Sequence, residues 1–290
     1  MARRKPPVVH GLVLLDKPRG MTSHDAVQML RRHFGERRIG HTGTLDPDAT
    51  GLLVIGVGNA TRLFRFMDEM DKRYTCEIVF GSETDTLDDT GTETVLHSMS
   101  PPDVAEARRI IAERFTGAIM QVPPMVSALH HEGRRLHELA REGVEVDRAP
   151  RPVVVHEFVV HATDDPMVFE ADVTCGSGTY VRSLGADLGA ALGGGAHIRN
   201  LRRHSIGPYS LTEACTLDSP LLMPVIEAVR GMEVHVLDAA SVDDVLYGRV
   251  REAWSGSGPW AALDEHGELV AVFERWQDHL AKPTVVFGGR

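Results

Sequence analysis

An apolar run, Gly11–Leu15, has the length of a strand and ends in Asp16-Lys17-Pro18-Arg19-Gly20, a turn in which proline fixes φ and glycine relaxes it. Thr22-Ser23-His24-Asp25 then has the form of a capping box. Val27, Leu30 and Phe34 follow at helical spacing, so a helix is expected there. Leu52–Val57 is a continuous apolar stretch that suits a buried strand. From Tyr74 the pattern alternates, with Tyr74, Cys76, Ile78 and Phe80 on one face and Thr75, Glu77 and Val79 on the other. That is a strand of period two.

Further along, the polar stretch Gly81–Gly91 reads as a loop and Asp103–Phe115 as a helix. Val122-Pro123-Pro124 interrupts the chain, and Leu136–Arg141 is a short helix. Val153–Val160 and Met167–Cys175 form a strand pair around Thr163-Asp164-Asp165-Pro166. Leu184, Leu188 and Leu192 mark a helix that stops at Gly193-Gly194-Gly195. Beyond Gly231 the texture changes to short strands, Val234–Leu237, Trp260–Leu263 and Leu269–Phe273, between Gly- and Ser-rich turns. Two domains are expected, 1–231 and a small β-rich 232–290.

The chain has 290 residues, 42% hydrophobic and 25% charged, which supports a packed core and excludes global disorder. No apolar run approaches the roughly 20 residues needed to cross a bilayer. No apolar signal core follows Met1–Pro7, and Cys76, Cys175 and Cys215 lie far apart, so the expected setting is a reducing cytoplasm. The net charge of −10 conceals an asymmetry. Residues 1–65 carry 11 Lys and Arg against 5 Asp and Glu, while the remainder sums to −16. Arg31, Arg32, Arg37 and Arg38 form one basic cluster; Arg199, Arg202 and Arg203 form another. A polyanionic partner is therefore compatible with an acidic total.

Standard ligand motifs are missing. Gly176-Ser177-Gly178 lacks the third glycine of a dinucleotide turn, and no glycine loop ends in Gly-Lys-Ser/Thr. His130 and His131 are adjacent, so on one strand they point to opposite faces, which argues against a metal site with His137. The most unusual stretch is Gly40–Gly51 (GHTGTLDPDATG), expected to be a tight shaped loop. Its Leu-Asp-Pro is by itself an ordinary turn. Yet Asp46, held by stiff backbone between a basic cluster and a buried strand, would be ionised as nucleophilic catalysis by an aspartate requires. A second unusual stretch, Val173–Leu184, runs from a strand through a glycine turn into a helix that bears Tyr180 and Arg182. An arginine there suits a bidentate grip on a carboxylate.

These segments resemble bacterial tRNA pseudouridine-55 synthases of the TruB type. The resemblance rests on Leu14–Ser23 (LLDKPRGMTS), Gly40–Leu53, Lys72-Arg73-Tyr74, Gln121–Met125, Cys175–Leu184 and Leu201-Arg202-Arg203, in family order over about residues 10–210. It implies an α+β fold with a large mixed, mostly antiparallel sheet, and a small PUA-like C-terminal domain. It implies isomerisation of a T-loop uridine of tRNA to pseudouridine, with no cofactor, nucleotide or metal, by a monomer. The roles it implies are Asp46 as catalytic carboxylate, Arg182 as its partner, and Tyr74 stacked on the uracil and helping remove the C5 proton. Lys17 and Pro18 would brace the site floor, Tyr180 and Leu201 would line the pocket, and His41 would stack where flipped bases leave the loop. Arg202 and Arg203 would contact RNA. Ser177, Val126 and His130 depart from the family pattern. The sequence leaves direct attack at C1′ and a glycal route equally open.

Two other readings compete. One is a tRNA-binding or tRNA-folding protein without chemistry, against which intact Asp46, Tyr74 and Arg182 argue. The other is a sugar hydrolase using Asp46 and Asp48 as a carboxylate pair, to which a basic field is poorly suited.

Overall fold

The computed structural model describes residues 6–127, 129–131 and 133–288. A nine-stranded sheet organises it. In chain order the main elements are β1 (Gly11–Lys17), α1 (Ser23–Phe34), β2 (Ile39–Thr42), β3 (Thr50–Val57), β4 (Lys72–Phe80), α2 (Val104–Ile110), β5 (Gly117–Gln121), β6 (Arg151–Ala162), β7 (Val168–Cys175), α3 (Val181–Ala191) and β8 (Ala196–Ile206). The strand order is β1-β3-β8-β4-β7-β6-β5, with β2 also paired to β3. Pairings are antiparallel save β8 on β3, which is parallel at Arg202 and Arg203. This is the α+β, mixed but mostly antiparallel sheet expected from the sequence.

β1 and β3 read as unbroken apolar runs because both faces are covered. Val13, Leu15, Leu53 and Ile55 pack with Val27 and Leu30 of α1 and Leu184 and Leu188 of α3. Leu12, Leu14, Leu52 and Val54 point the other way, into a second core with Ala261, Leu263, Val272 and Val285. Those four belong to a five-stranded C-terminal sheet. Its elements include β9 (Glu233–Val236), α4 (Ala239–Leu246), β10 (Trp260–Leu263), β11 (Leu269–Trp276) and β12 (Leu280–Val286). Polar ties reinforce the contact: Arg62 Nη1 donates to the Val286 carbonyl at 2.6 Å, and Arg65 pairs with Glu274 at 2.7 Å.

Most expected elements are present. Thr22 caps α1 through a complete capping box with Asp25, and β4 alternates with Tyr74 buried. Several expectations need correction. β1 continues through Lys17, so the turn begins at Pro18. Gly40–Thr42 belongs to β2 and Thr50–Gly51 to β3, which shortens the shaped loop to Gly43–Ala49. Within Gly81–Gly91, Ser82–Thr84 pairs with Glu93–Leu96. β5, β8, α4 and β12 were not anticipated as elements. The side chains of His130, His131 and His137 lie outside the described residues. Among the described residues no helix is long and apolar enough to cross a membrane.

Candidate active site

Asp46 sits at the tip of the loop between β2 and β3, and the peptides on both sides of it are pinned. The Ser23 hydroxyl accepts a hydrogen bond from the Leu45 N–H (2.9 Å) and donates to the Leu45 carbonyl (3.0 Å). The Pro47 carbonyl accepts from Lys17 Nζ (3.0 Å) and from the Gly20 N–H (3.0 Å). Lys17, buried at the end of β1, spends its other two donors on the carbonyls of Pro18 (2.9 Å) and Met21 (2.8 Å). One ammonium therefore ties the turn after β1 to the loop that carries Asp46. Burial lowers its pKa to about 8, a shift that the carboxylates of Asp48 and Asp46 oppose.

The loop's stems are fixed as firmly. Arg203, 1% exposed, donates from Nη2 to the Gly43 carbonyl and from Nε to the Leu52 carbonyl, each at 2.7 Å. Gly51 has φ +99°, and a Cβ there would meet the Arg203 carbonyl at 2.3 Å, so only glycine fits. Thr42 donates a short hydrogen bond to Asp68.

Arg182, in the first turn of α3, meets the Asp46 carboxylate at 3.0 Å and is itself only 4% exposed. Its Nη1 donates to the Thr86 carbonyl (2.6 Å) and its Nη2 to the Val126 carbonyl (2.9 Å). On the far side its Nε faces Asp88 at 3.7 Å. Asp88 is in turn fixed by donors from Thr86 and Thr90. Asp46 is thus not a lone carboxylate beside arginines. Burial raises its pKa; Arg182 opposes the rise, Asp88 adds to it and Lys17 opposes it. Its side chain keeps 40% exposure, opening onto a concave site shared with Arg182, Asp88, Ile198 and Leu201.

Leu201 reaches that site because β8 is irregular. Its register slips between Arg199 and Arg202, and Asn200 adopts the left-handed conformation at φ 55°. Tyr74 lies beside Arg203, whose guanidinium is 6.0 Å from the ring centre. Burial raises the Tyr74 pKa, and Arg203 opposes the rise, so at neutral pH it is an uncharged phenol. Tyr180 precedes α3, and Gln121 clamps its main chain, accepting from the N–H (2.8 Å) and donating to the carbonyl (3.1 Å). Its phenol feels both Arg182 and Asp46 and hydrogen-bonds Ser127. His41, on β2, is partly buried, with its pKa lowered by burial and by Arg203.

The structure brings Asp46, Arg182, Lys17, Pro18, Tyr180 and Leu201 together, with Tyr74 and His41 around Arg203. The second basic cluster does not form an open cationic face. Arg203 is buried in the loop stem, so its expected role as an RNA contact is replaced by a bracing one. Arg199 is paired with Glu77 (2.5 Å), and Arg202 with Asp16 (2.7 Å). The physical reason is strand geometry: β8 runs mid-sheet, where its side chains face inward or reach acids on β4 and β1. Sequence reasoning also missed Asp88, Asp89 and Gln121. The acidic stretch 81–93 had no derived role, yet it brings Asp88 to Arg182 and Asp89 to Arg19 (3.0 Å). Arg19 holds Asp48 as well (3.2 Å), so Asp48 is a rim ion pair and not a second carboxylate for a hydrolase. Among the described residues no group of three or more His, Cys, Asp and Glu is arranged to hold a metal ion.

Comparison with known proteins gives the family. The TruB family pseudouridylate synthase N-terminal domain matches residues 31–181, and the tRNA pseudouridylate synthase B C-terminal domain matches residues 182–226. The chain is 42% identical over 293 residues to the tRNA pseudouridine synthase B of Thermobifida fusca, covering 96% of this chain and 99% of that protein. It is 48% identical over 214 residues to the protein of the same name from Moorella thermoacetica, covering 73% and 70%. Among solved structures, one of an H/ACA RNP bound to a substrate RNA containing 2′-deoxyuridine superposes with TM-score 0.72 at 21% identity, covering 97% of this chain and 86% of that one. A Cbf5-Nop10-Gar1 complex superposes with TM-score 0.71 at 22% identity, covering 97% and 85%.

Proposed function

The chain belongs to the TruB family of pseudouridylate synthases, and from that premise we propose that it converts the T-loop uridine of tRNA, position 55, to pseudouridine, with Asp46 as the catalytic carboxylate. tRNA pseudouridylation is the activity that its relatives' names carry, over nearly the whole chain. The observation that supports the assignment of Asp46 is the Asp46–Arg182 pair at 3.0 Å, one partner buried and the other open to the concave site.

The reaction breaks the N1–C1′ bond, turns the uracil and joins C5 to C1′. The C5 proton leaves and N1 gains one, so no atom or electron is lost. The target must be everted from a folded RNA loop, which costs a few kcal/mol. Stacking on an aromatic face returns roughly 1–3 kcal/mol per base. Tyr74 is that face, and Tyr180 and Leu201 close the pocket. Asp46 works at C1′, either by attack or by assisting a glycal route; partial desolvation makes it a more reactive anion than a solvated aspartate. Arg182 holds it ionised and aimed. The raised Tyr74 pKa suits stacking and works against C5 deprotonation; Arg203 offsets part of that rise.

Residues 232–290 serve as a PUA-like RNA-binding domain, and the enzyme acts as a cytoplasmic monomer without cofactor. The test is to incubate unmodified tRNA transcript with the wild-type protein and map pseudouridine by carbodiimide-blocked primer extension. A single stop at the T-loop uridine supports the reading. Stops elsewhere, or none, overturn it.

A further inference from the structure

We infer that the outer face of α1 and the loop after it grip the phosphate backbone of the RNA stem that carries the target loop. The inference rests on the tRNA reading and adds to it a second, sequence-independent contact away from the chemistry. α1 begins at the active site, since Ser23 bonds the peptide before Asp46. It then runs outward for 12 residues to Phe34.

His24, Gln28 and Arg32 stand at i, i+4 and i+8, so they line one face of the helix. The His24 and Gln28 side chains are hydrogen-bonded at 2.9 Å, which joins the first two into a ridge. The ridge is about 12 Å long at 1.5 Å per residue, long enough to follow several successive phosphates of one strand. Its inner end lies beside the pocket: His24 is close enough to His41 to help lower that ring's pKa. Its outer end passes through Gly35 to Arg37 and Arg38.

The guanidinium charge there is free in a way that it is not on β8 and β4. Arg199, Arg202 and Arg73 are each paired with a carboxylate. Arg32 and Arg37 are exposed, and among the described residues neither guanidinium is ion-paired with a carboxylate. The acid nearest in sequence, Glu36, is buried and committed to main chain, accepting from the N–H groups of Val8 (3.0 Å) and Arg38 (2.8 Å). Among the described residues the Arg38 side chain reaches the neutral Asn59, at 3.1 Å. A helix C-terminus favours a cation at Arg32, but Arg37 lies beyond the helix and has no such explanation. Unpaired guanidinium groups in line with a pocket for a flipped base match a backbone of regularly spaced phosphates. Such contacts position the duplex and carry no sequence information.

The test compares two substrates in steady-state and filter-binding assays: full-length tRNA transcript, and a hairpin with the same loop on a stem of two or three base pairs. The variants are Arg32→Glu/Arg37→Glu and Arg32→Gln/Arg37→Gln, whose exposed sites are compatible with folding; unchanged thermal unfolding verifies it. Expected with full-length tRNA is a rise in KM and Kd of roughly tenfold for the Glu pair and less for the Gln pair. The slope of log K against log salt should shrink by about 1–2, with kcat unchanged. The short hairpin should show little change. Unchanged Kd and salt slope for full-length tRNA overturn the inference, as does an equal loss on both substrates. Failure of the wild type to modify either substrate overturns the functional reading instead.

Discussion

The Lys17 ammonium donates a 3.0 Å hydrogen bond to the carbonyl of Pro47, the residue immediately after Asp46. A buried cation at the end of one strand thereby sets the position of a carboxylate 29 positions later in the chain. The link is rigid because Lys17 has no freedom to lengthen it: two more carbonyls share the same nitrogen. Lys17→Met keeps the apolar stem and removes the tie, leaving three carbonyls without that donor. The variant should fold with lower stability, by about 2–4 kcal/mol. Pseudouridine formation should fall at least a hundredfold, mostly in kcat, since a misplacement of 1 Å is enough for such a loss. Chemical denaturation alongside single-turnover rates measures both; a normal kcat would show that the tie is dispensable.

The same lysine makes stability depend on pH in a defined window. Its pKa is about 8 in the folded chain against 10.5 when free. Between those values the folded state binds fewer protons than the unfolded one, so this group adds stability as pH rises. Below pH 8 its burial cost is fully present. The difference in Tm between wild type and Lys17→Met should therefore shift in favour of wild type from pH 8 to pH 10. A constant difference across that range would contradict a buried, titrating Lys17.

In the proposed role Asp46 has to be ionised, and its pKa is raised by burial and by Asp88, against the pull of Arg182. Activity should then be lost on the acid side at a higher pH than an ordinary aspartate would give. Asp88→Asn removes a charge that raises the pKa, so the acidic limb of kcat/KM should move to lower pH. Arg182→Met removes a charge that lowers it, so the limb should move to higher pH while the maximal rate falls. Shifts of the same sign in both variants would contradict this electrostatic arrangement.

Glycine is required at one end of the loop and merely preferred at the turn beside it. Gly51 has φ +99° and no room for a Cβ, whereas Gly20 has φ +82° with nothing within 4 Å of that position. Gly20→Ala should cost about 1–2 kcal/mol from the left-handed backbone alone. Gly51→Ala should cost more than about 3 kcal/mol, because the Arg203 main chain has to move as well. Urea denaturation of the two variants orders them; equal costs would show that Arg203 is not pressed against Gly51.

Where short-range rules suffice, the sequence was legible. The Thr22–Asp25 box marks the start of α1, and the alternation from Tyr74 marks the buried face of β4, because both signals lie within a few residues. β8 was not legible. Its His197, Arg199, Arg202, Arg203 and His204 look like a solvated cationic run, yet the strand lies mid-sheet and its arginines are consumed by Glu77, Asp16 and the carbonyls of Gly43 and Leu52. Those partners are more than a hundred positions away, so no local pattern reveals them. Asp88 was missed for the same reason, since its partner Arg182 is remote in sequence. α4 is a single short amphipathic segment, AASVDDVL, whose polar residues hide the period. Asp46 itself became visible through family likeness and not through its spacing, because Leu-Asp-Pro reads as any turn does.

The most direct measurement is single-turnover conversion of tRNA labelled with tritium at uracil C5, comparing wild type, Asp46→Asn and Asp48→Asn. Release of label from wild type and Asp48→Asn at comparable rates, none from Asp46→Asn above background, and tRNA affinity within a few-fold for all three is the expected result. Turnover by Asp46→Asn near the wild-type rate, or loss confined to Asp48→Asn, would contradict the account.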